Sequence, residues 1–332
     1  MHGIKAAAVE GHGAGICCLL LLLPLPALAQ SESYEKRPEV RGFIREMAKR
    51  HGFEESELTS LFARVERAEP VLAAIRKPPE PPVWADYRAI FLTEKRIEGG
   101  VAFWQAHGEL LARAEREYGV SAAVIVAIIG IETFYGRNTG RWRVIDALTT
   151  LAFDHPPRAR FFRGELESYL LLVRDNGHDV LAVRGSYAGA IGIPQFMPSS
   201  TRAYAVDFDG DGIVDLREST ADAIGSVASF LSKHGWEPGA PVQLKPALRG
   251  ERWRRLTGVE PRYPLAELRG AGVGLETDLP PQTRAVVVDL GSEVRVGLKN
   301  FHVITRYNRS ALYAAAVADL AESVRERQSP GR

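Results

Sequence analysis

From Val120 to Ile131 the chain reads VSAAVIVAIIGI, with Ser121 as its one polar side chain, and Glu132 follows at once in the string IIGIETFYG. A helix apolar on every face cannot lie on a surface, so other helices must close around it, with Ser121 placed to cap its N-terminus. The run is too short to cross a bilayer and therefore marks a protein core. A carboxylate at the end of such a helix is costly unless it is paired or kept protonated. Two readings stand side by side. Glu132 is a helix-end acid paired with Arg137 or Arg141, or it is a general acid whose greasy surroundings raise its pKa for proton donation to a glycosidic oxygen.

The first 29 residues are set apart from the fold. Lys5 precedes an apolar run from Ile16 to Leu25, broken by Pro24, and Ala27-Leu28-Ala29 supplies an A-x-A site. This is the layout of a cleavable signal peptide, with an uncleaved anchor as the alternative. Cys17 and Cys18 both lie inside it, outside the pattern of a lipid-modified cysteine, so the exported protein is expected to contain no disulfide. The remaining stretch is long enough for two or three domains. A formal net charge of +1 argues against a nucleic-acid partner.

Residues 30–116 read as a helical domain, with apolar residues at three- and four-residue spacing, a stiff KPPEPPVW crossing, and a helix break expected at Gly99-Gly100. Residues 117–236 stay helical and become more apolar, and Asn176-Gly177 suits a helix C-cap. Residues 237–299 turn rich in proline and glycine, and TRAVVVDL and EVRVGL, joined by Gly-Ser, predict a hairpin in a small β-rich unit. Helical periodicity returns at 300–328, so the β unit reads as an insertion into a helical core.

DFDGDGIVDLRE at 207–218 sets Asp207, Asp209 and Asp211 at loop positions 1, 3 and 5, Gly212 at 6, the Ile213 carbonyl at 7, Asp215 at 9 and Glu218 at 12. That is the calcium loop of an EF-hand, flanked by helical sequence as the motif requires, and it reads as a structural calcium site. Either Glu218 or Asp222 can close the cage. In GSYAGAIGIPQFMPSS at 185–200, three glycines permit close backbone approach to a ligand, and Ser186, Tyr187 and Gln195 offer polar groups. A loop that only packs is the plainer reading. ITRYNRSALY at 304–313 combines aromatics with an amide, which suits sugar recognition and equally suits a helix start with core tyrosines. The chain holds no HExxH, no G-x-S-x-G and no strand-anchored dinucleotide motif.

In order and spacing, IIGIETFYG, GSYAGAIGIPQFMPSS, the calcium loop and VITRYNRS resemble the membrane-bound lytic murein transglycosylase B family, from about Tyr34 to the last helix. The resemblance implies a mainly α (α+β) fold: a goose-type lysozyme-like helical core with an extra helical domain and a small inserted β domain. It implies Glu132 as the sole catalytic acid/base, with no cofactor for catalysis. Tyr87, Arg158, Ser186, Gln195, Tyr307, Asn308 and Tyr313 match the family's glycan-contacting positions, and Asp222 matches the residue that closes the calcium loop. Three departures stand out: Phe230 where a tyrosine is common, Pro157 beside Arg158 where a second basic residue is usual, and Gly-Ile-Pro before Gln195.

The expected activity is non-hydrolytic cleavage of the β-1,4 bond between N-acetylmuramic acid and N-acetylglucosamine, giving 1,6-anhydromuramic ends. A hydrolytic muramidase and a non-catalytic peptidoglycan-binding protein are the rivals. Glycan strands of peptidoglycan are the expected partner, with other cell-wall enzymes as further candidates and a monomer as the expected state.

Overall fold

The structure, a computed structural model, describes residues 32–76 and 83–328. The expected signal peptide, 1–29, and most of the proline-rich crossing lie outside the described residues.

A 3-10 turn at Tyr34–Lys36 leads into α1 (Pro38–His51), α2 (Glu55–Phe62) and α3 (Glu69–Arg76). Then come α4 (Trp84–Phe91), α5 (Glu94–Ala106), α6 (Gly108–Tyr118) and α7 (Ala122–Thr133). A two-residue strand β1 (Trp142–Arg143) precedes α8 (Val144–Asp154) and α9 (Ala159–Asp175). Its partner β2 (Arg184–Gly185) is followed by α10 (Pro198–Tyr204) and α11 (Thr220–Lys233).

The β unit comprises β3 (Gln243–Leu244), β4 (Ala247–Leu248), β5 (Tyr263–Pro264), α12 (Leu265–Gly270), β6 (Val273–Gly274), β7 (Arg284–Asp289) and β8 (Val294–Gly297). Four of its strands form a sheet in the order β3-β8-β7-β5, and β4 pairs with β6. The expected hairpin is β7–β8, antiparallel with Val287 opposite Val296. The chain closes with α13 (Lys299–Tyr307) and α14 (Ala311–Gln328).

Every residue of α7 from Ala122 to Ile131 is buried, as its composition demands. Helices α5, α6, α11 and α14 pack around it, and Ile125, Ile128 and Ile129 are fully enclosed. Burying each such isoleucine contributes about 1.5–3 kcal/mol. Ser121 occupies the N-cap position without a side-chain cap bond. At the other end Phe134 turns the backbone left-handed, φ 53°, and its N–H bonds to the Gly130 carbonyl.

Helices α1–α3 share a second cluster with α8 and α9, in which Phe43, Met47, Phe62 and Leu72 meet Leu148, Phe162 and Tyr169. Asp154 fastens this layer, taking hydrogen bonds from Tyr34 at 2.6 Å, Arg37 at 2.8 Å and Arg67 at 3.1 Å. A third cluster, around Trp253, Leu265, Val287 and Val296, fills the β unit.

One expectation is corrected. Gly99 and Gly100 do not break a helix: α5 runs through both, and the chain turns at His107 instead. A Cβ at Gly99, Gly100 or Gly130 would stand 2.8, 2.7 or 2.6 Å from the Tyr135 side chain. The glycines are a socket for that ring, a long-range packing need that looks like a helix breaker in sequence.

Candidate active site

Glu132 stands on the last turn of α7 and is half-buried. Burial raises its carboxyl pKa to about 7, against the opposing effect of the Tyr313 hydroxyl, which donates to Oε1 at 2.6 Å. Among the described residues neither a cation nor a second carboxylate contributes to that shift. The paired-acid alternative is thereby removed: Arg137 lies over the Phe134 ring at 5.2 Å and Arg141 over Trp142 at 5.0 Å.

Strain concentrates beside this carboxyl. Among the described residues, the non-glycine positions with left-handed backbone are Phe134 (φ 53°), Tyr135 (φ 62°) and Gln195 (φ 52°). Such conformations cost of order 1–3 kcal/mol each and persist only where surrounding contacts over-determine them. Those contacts are visible. The Tyr135 hydroxyl donates to the Arg96 carbonyl at 2.7 Å, and the Arg96 guanidinium donates to the carbonyls of Gly130 at 3.1 Å and Ile90 at 2.6 Å. Thr133 ties the turn to the loop opposite, donating to the Ile193 carbonyl at 2.9 Å.

That loop carries Ser186 and Gln195. Ser186 Oγ accepts from the N–H groups of Ala190 at 3.0 Å and Ala188 at 3.3 Å, so it shapes the turn from within. Gln195 Nε2 donates to the carbonyls of Thr139 at 3.0 Å and Gly192 at 2.8 Å. Two acceptors fix the orientation of the amide and leave its own oxygen free for a ligand. Tyr187 stands exposed beside them.

Tyr307 and Tyr313, from the end of α13 and the start of α14, stack at 6.4 Å and 12°. The Tyr307 hydroxyl donates to the Pro194 carbonyl at 2.6 Å, next to Gln195. Burial, then the charge of Glu132, raises the pKa of both tyrosines well above ordinary phenol. The same two causes act on half-buried Tyr87 of α4, which places it within the electrostatic reach of Glu132. Phe230, where tyrosine was expected, keeps its ring 4.9 Å from Tyr307 without offering a hydroxyl. Asn308 is exposed just after α13.

Arg158 is not brought to this cluster. Its guanidinium lies 4.4 Å over Phe161 and lines a separate cavity of about 780 Å³ with Arg160, Glu167 and Ser199. Sequence reasoning missed Arg96 altogether. An arginine on an amphipathic helix carries no local sign that its guanidinium turns inward to two carbonyls.

The acidic loop folds as its spacing requires. Carboxylate oxygens of Asp207, Asp209 and Asp211 lie within 4.8 Å of one another. Gly210 (φ 80°) and Gly212 (φ 89°) take the left-handed turns, and their N–H groups donate to Asp207 at 2.7 and 2.8 Å. Asp222 is fully buried and accepts the N–H groups of Phe208 and Asp215, each at 2.7 Å, while Glu218 points into solvent. Convergent hard oxygens around a glycine turn fit a divalent cation such as calcium.

Comparison with known proteins agrees with this geometry. The family described as Transglycosylase SLT domain matches residues 35–322. The membrane-bound lytic murein transglycosylase B of Escherichia coli strain K12 is 39% identical over 305 residues, covering 88% of this chain and 84% of its own. The crystal structure of soluble lytic transglycosylase SltB1 from Pseudomonas aeruginosa superposes with a TM-score of 0.83 at 50% identity, covering 88% of this chain and 100% of that one. The Escherichia coli lytic transglycosylase Slt35, solved in complex with calcium, gives a TM-score of 0.81 at 39% identity, covering 88% and 94% of the two chains. The mainly helical, lysozyme-like architecture expected from the sequence is the fold shared with these structures.

Proposed function

The chain belongs to the transglycosylase SLT domain family as a peptidoglycan lytic transglycosylase, and from that premise we propose that Glu132 alone serves as its acid and base. The observation that carries this reading is a carboxyl whose burial raises its pKa to about 7, with no cation or second acid among the described residues contributing to that shift. Tyr313 donates to Oε1, so the transferable proton belongs on Oε2. Glu132 gives that proton to the glycosidic oxygen as the bond to muramyl C1 breaks. The substrate's own acetamido oxygen stabilises the oxocarbenium-like charge, as in substrate-assisted glycosidases. Ionised Glu132 then takes the proton of the muramyl C6 hydroxyl, whose oxygen attacks C1 and closes the 1,6-anhydro ring. No water is consumed, and the carboxyl returns to its starting state.

Tyr87, Ser186, Gln195, Tyr307, Asn308 and Tyr313 are proposed to contact the glycan, with the free Gln195 oxygen and the exposed Asn308 amide as hydrogen-bonding groups and the tyrosine rings as platforms. Arg158 would act from its separate cavity, further along the strand. The loop with Asp207, Asp209, Asp211 and the Ile213 carbonyl is proposed to hold calcium. Asp222 is proposed to close the loop from the buried side, with exposed Glu218 as the alternative; neither is among the three clustered carboxylates. Among the described residues no helix is long and apolar enough to cross a membrane. Export by the N-terminal segment would place the enzyme in the periplasm.

Mass spectrometry of digested sacculi tests the chemistry, because an anhydro end is lighter by one water than the reducing end a muramidase leaves. Glu132→Gln is expected to abolish release, by several orders of magnitude, while keeping the fold. Reducing ends from the wild type, or near-normal turnover by Glu132→Gln, overturns the assignment. A wild type that binds sacculi and cleaves nothing would be the non-catalytic rival.

A further inference from the structure

Phe134 lies two residues beyond Glu132, and its ring is surrounded by positive charge. The guanidinium of Arg96 lies 5.1 Å from the ring centroid, that of Arg137 5.2 Å, and the Lys95 ammonium 5.8 Å. Like charges around one ring repel, and an exposed cation–π contact returns only about 0.5–1 kcal/mol.

Two other groupings in this chain are neutralised. Arg37 and Arg67 share Asp154, and Arg88 and Arg295 share Asp319. No described carboxylate forms an ion pair with Lys95, Arg96 or Arg137; the acid next to Lys95 in sequence, Glu94, is taken by Arg327. Arg96 is committed to two backbone carbonyls, whereas Lys95 and Arg137 are exposed. The exposed pair stands on a ring two residues from Glu132 in the chain. It lacks an anion.

We propose that this cationic collar receives free carboxylates of the peptide stem on the muramyl residue being cleaved. The inference rests on the proposed function, since that reading fixes which sugar lies beside Glu132. The lactyl ether that carries the peptide sits on the same ring whose C1 bond breaks, so the stem starts within one sugar of the carboxyl. Its free carboxylates are the anions such a substrate brings to this distance. Lys95 and Arg137 hold them as exposed charges, gathered on the Phe134 ring in the turn that follows Glu132. Attraction of this kind weakens steeply with salt.

The test measures co-sedimentation with sacculi, using Glu132→Gln protein so that binding is read without cleavage. Replacing Lys95 and Arg137 together by methionine is expected to weaken binding to native sacculi about fivefold at low salt and to flatten its salt dependence. On sacculi whose carboxyls have been amidated with carbodiimide and methylamine, the two proteins should bind alike. Lys95→Arg with Arg137→Lys should restore native binding, which separates charge from packing. Equal loss on native and amidated sacculi, or no loss on native ones, overturns the proposal. A difference that persists on peptide-stripped strands would assign the anion to the lactyl carboxylate and overturn the peptide reading. Failure of the proposed chemistry would show separately, in the products of the enzyme with Glu132 intact.

Discussion

Glu132 is expected to make the folded protein sensitive to pH in a particular direction. Its folded pKa, about 7, lies above the ordinary value of 4.5. The folded state therefore binds this proton more tightly than the unfolded chain does. The associated stability is fully present below pH 4.5 and is lost as pH rises through about 7. A shift of that size corresponds to an upper bound of roughly 3 kcal/mol. Glu132→Gln, which cannot ionise, should accordingly melt several degrees above the wild type at pH 8 and close to it at pH 4.5, by thermal unfolding. Tyr313→Phe makes a second prediction at the same carboxyl. The lost hydrogen bond favours the ionised form, so the pKa should rise further. The alkaline limb of the pH–rate profile should move above pH 7, with kcat about tenfold lower from lost orientation. An unmoved limb would show that Tyr313 does not touch the functional carboxyl. The acid itself was readable from sequence because its signal is local: a charge at the end of an unbroken apolar run. The roles of Arg96 and Tyr313 depend on segments distant in the chain, and no spacing announces them.

Helix α7 shows what a single element demands of its neighbours. Its burial follows from composition alone, as does the hairpin β7–β8 from two valine-rich runs joined by Gly-Ser. The Gly99-Gly100 pair misleads for a definable reason: glycine signals either backbone freedom or missing volume, and only the tertiary partner decides between them. Here the partner is Tyr135. The same substitution in two helix interiors should therefore have opposite signs. Gly42→Ala in α1 meets nothing within 4 Å and should stabilise by about 0.5–1 kcal/mol through helix propensity. Gly130→Ala would set a methyl 2.6 Å from the Tyr135 hydroxyl and should destabilise by about 1–3 kcal/mol through overpacking. It should also lower turnover, because Tyr135 anchors the turn that carries Glu132. Denaturant unfolding of both variants reads the contrast, and stabilisation by Gly130→Ala would remove the socket from the account.

Across the whole molecule, the acidic loop and the turn that follows Glu132 are joined by a short path of hydrogen bonds. The Leu216 carbonyl, at the end of the loop, accepts the Ile193 N–H at 2.8 Å, and the Ile193 carbonyl accepts the Thr133 hydroxyl at 2.9 Å. Gly192 is pressed so closely on Leu216 that a Cβ there would stand 2.3 Å from its carbonyl oxygen. On the other side, Arg113 of α6 donates to the Phe208 carbonyl and covers the Phe208 ring at 3.6 Å. A cation in the loop would therefore brace both α6 and the segment that holds Gln195. The motif spacing marked the candidate ligands in sequence, but the path to Thr133 exists only once three segments have met. Binding to the folded state alone stabilises by mass action, about 2.7 kcal/mol at a hundredfold excess over Kd. Calcium should thus raise Tm by several degrees and chelator should reverse it, with Asp207→Asn insensitive to both. Stability is not the whole expectation. If the path positions the loop against Glu132, chelation should also lower kcat at temperatures far below Tm, where unfolding removes no enzyme. Calcium that moves Tm and leaves kcat untouched would confine the loop to bracing the fold.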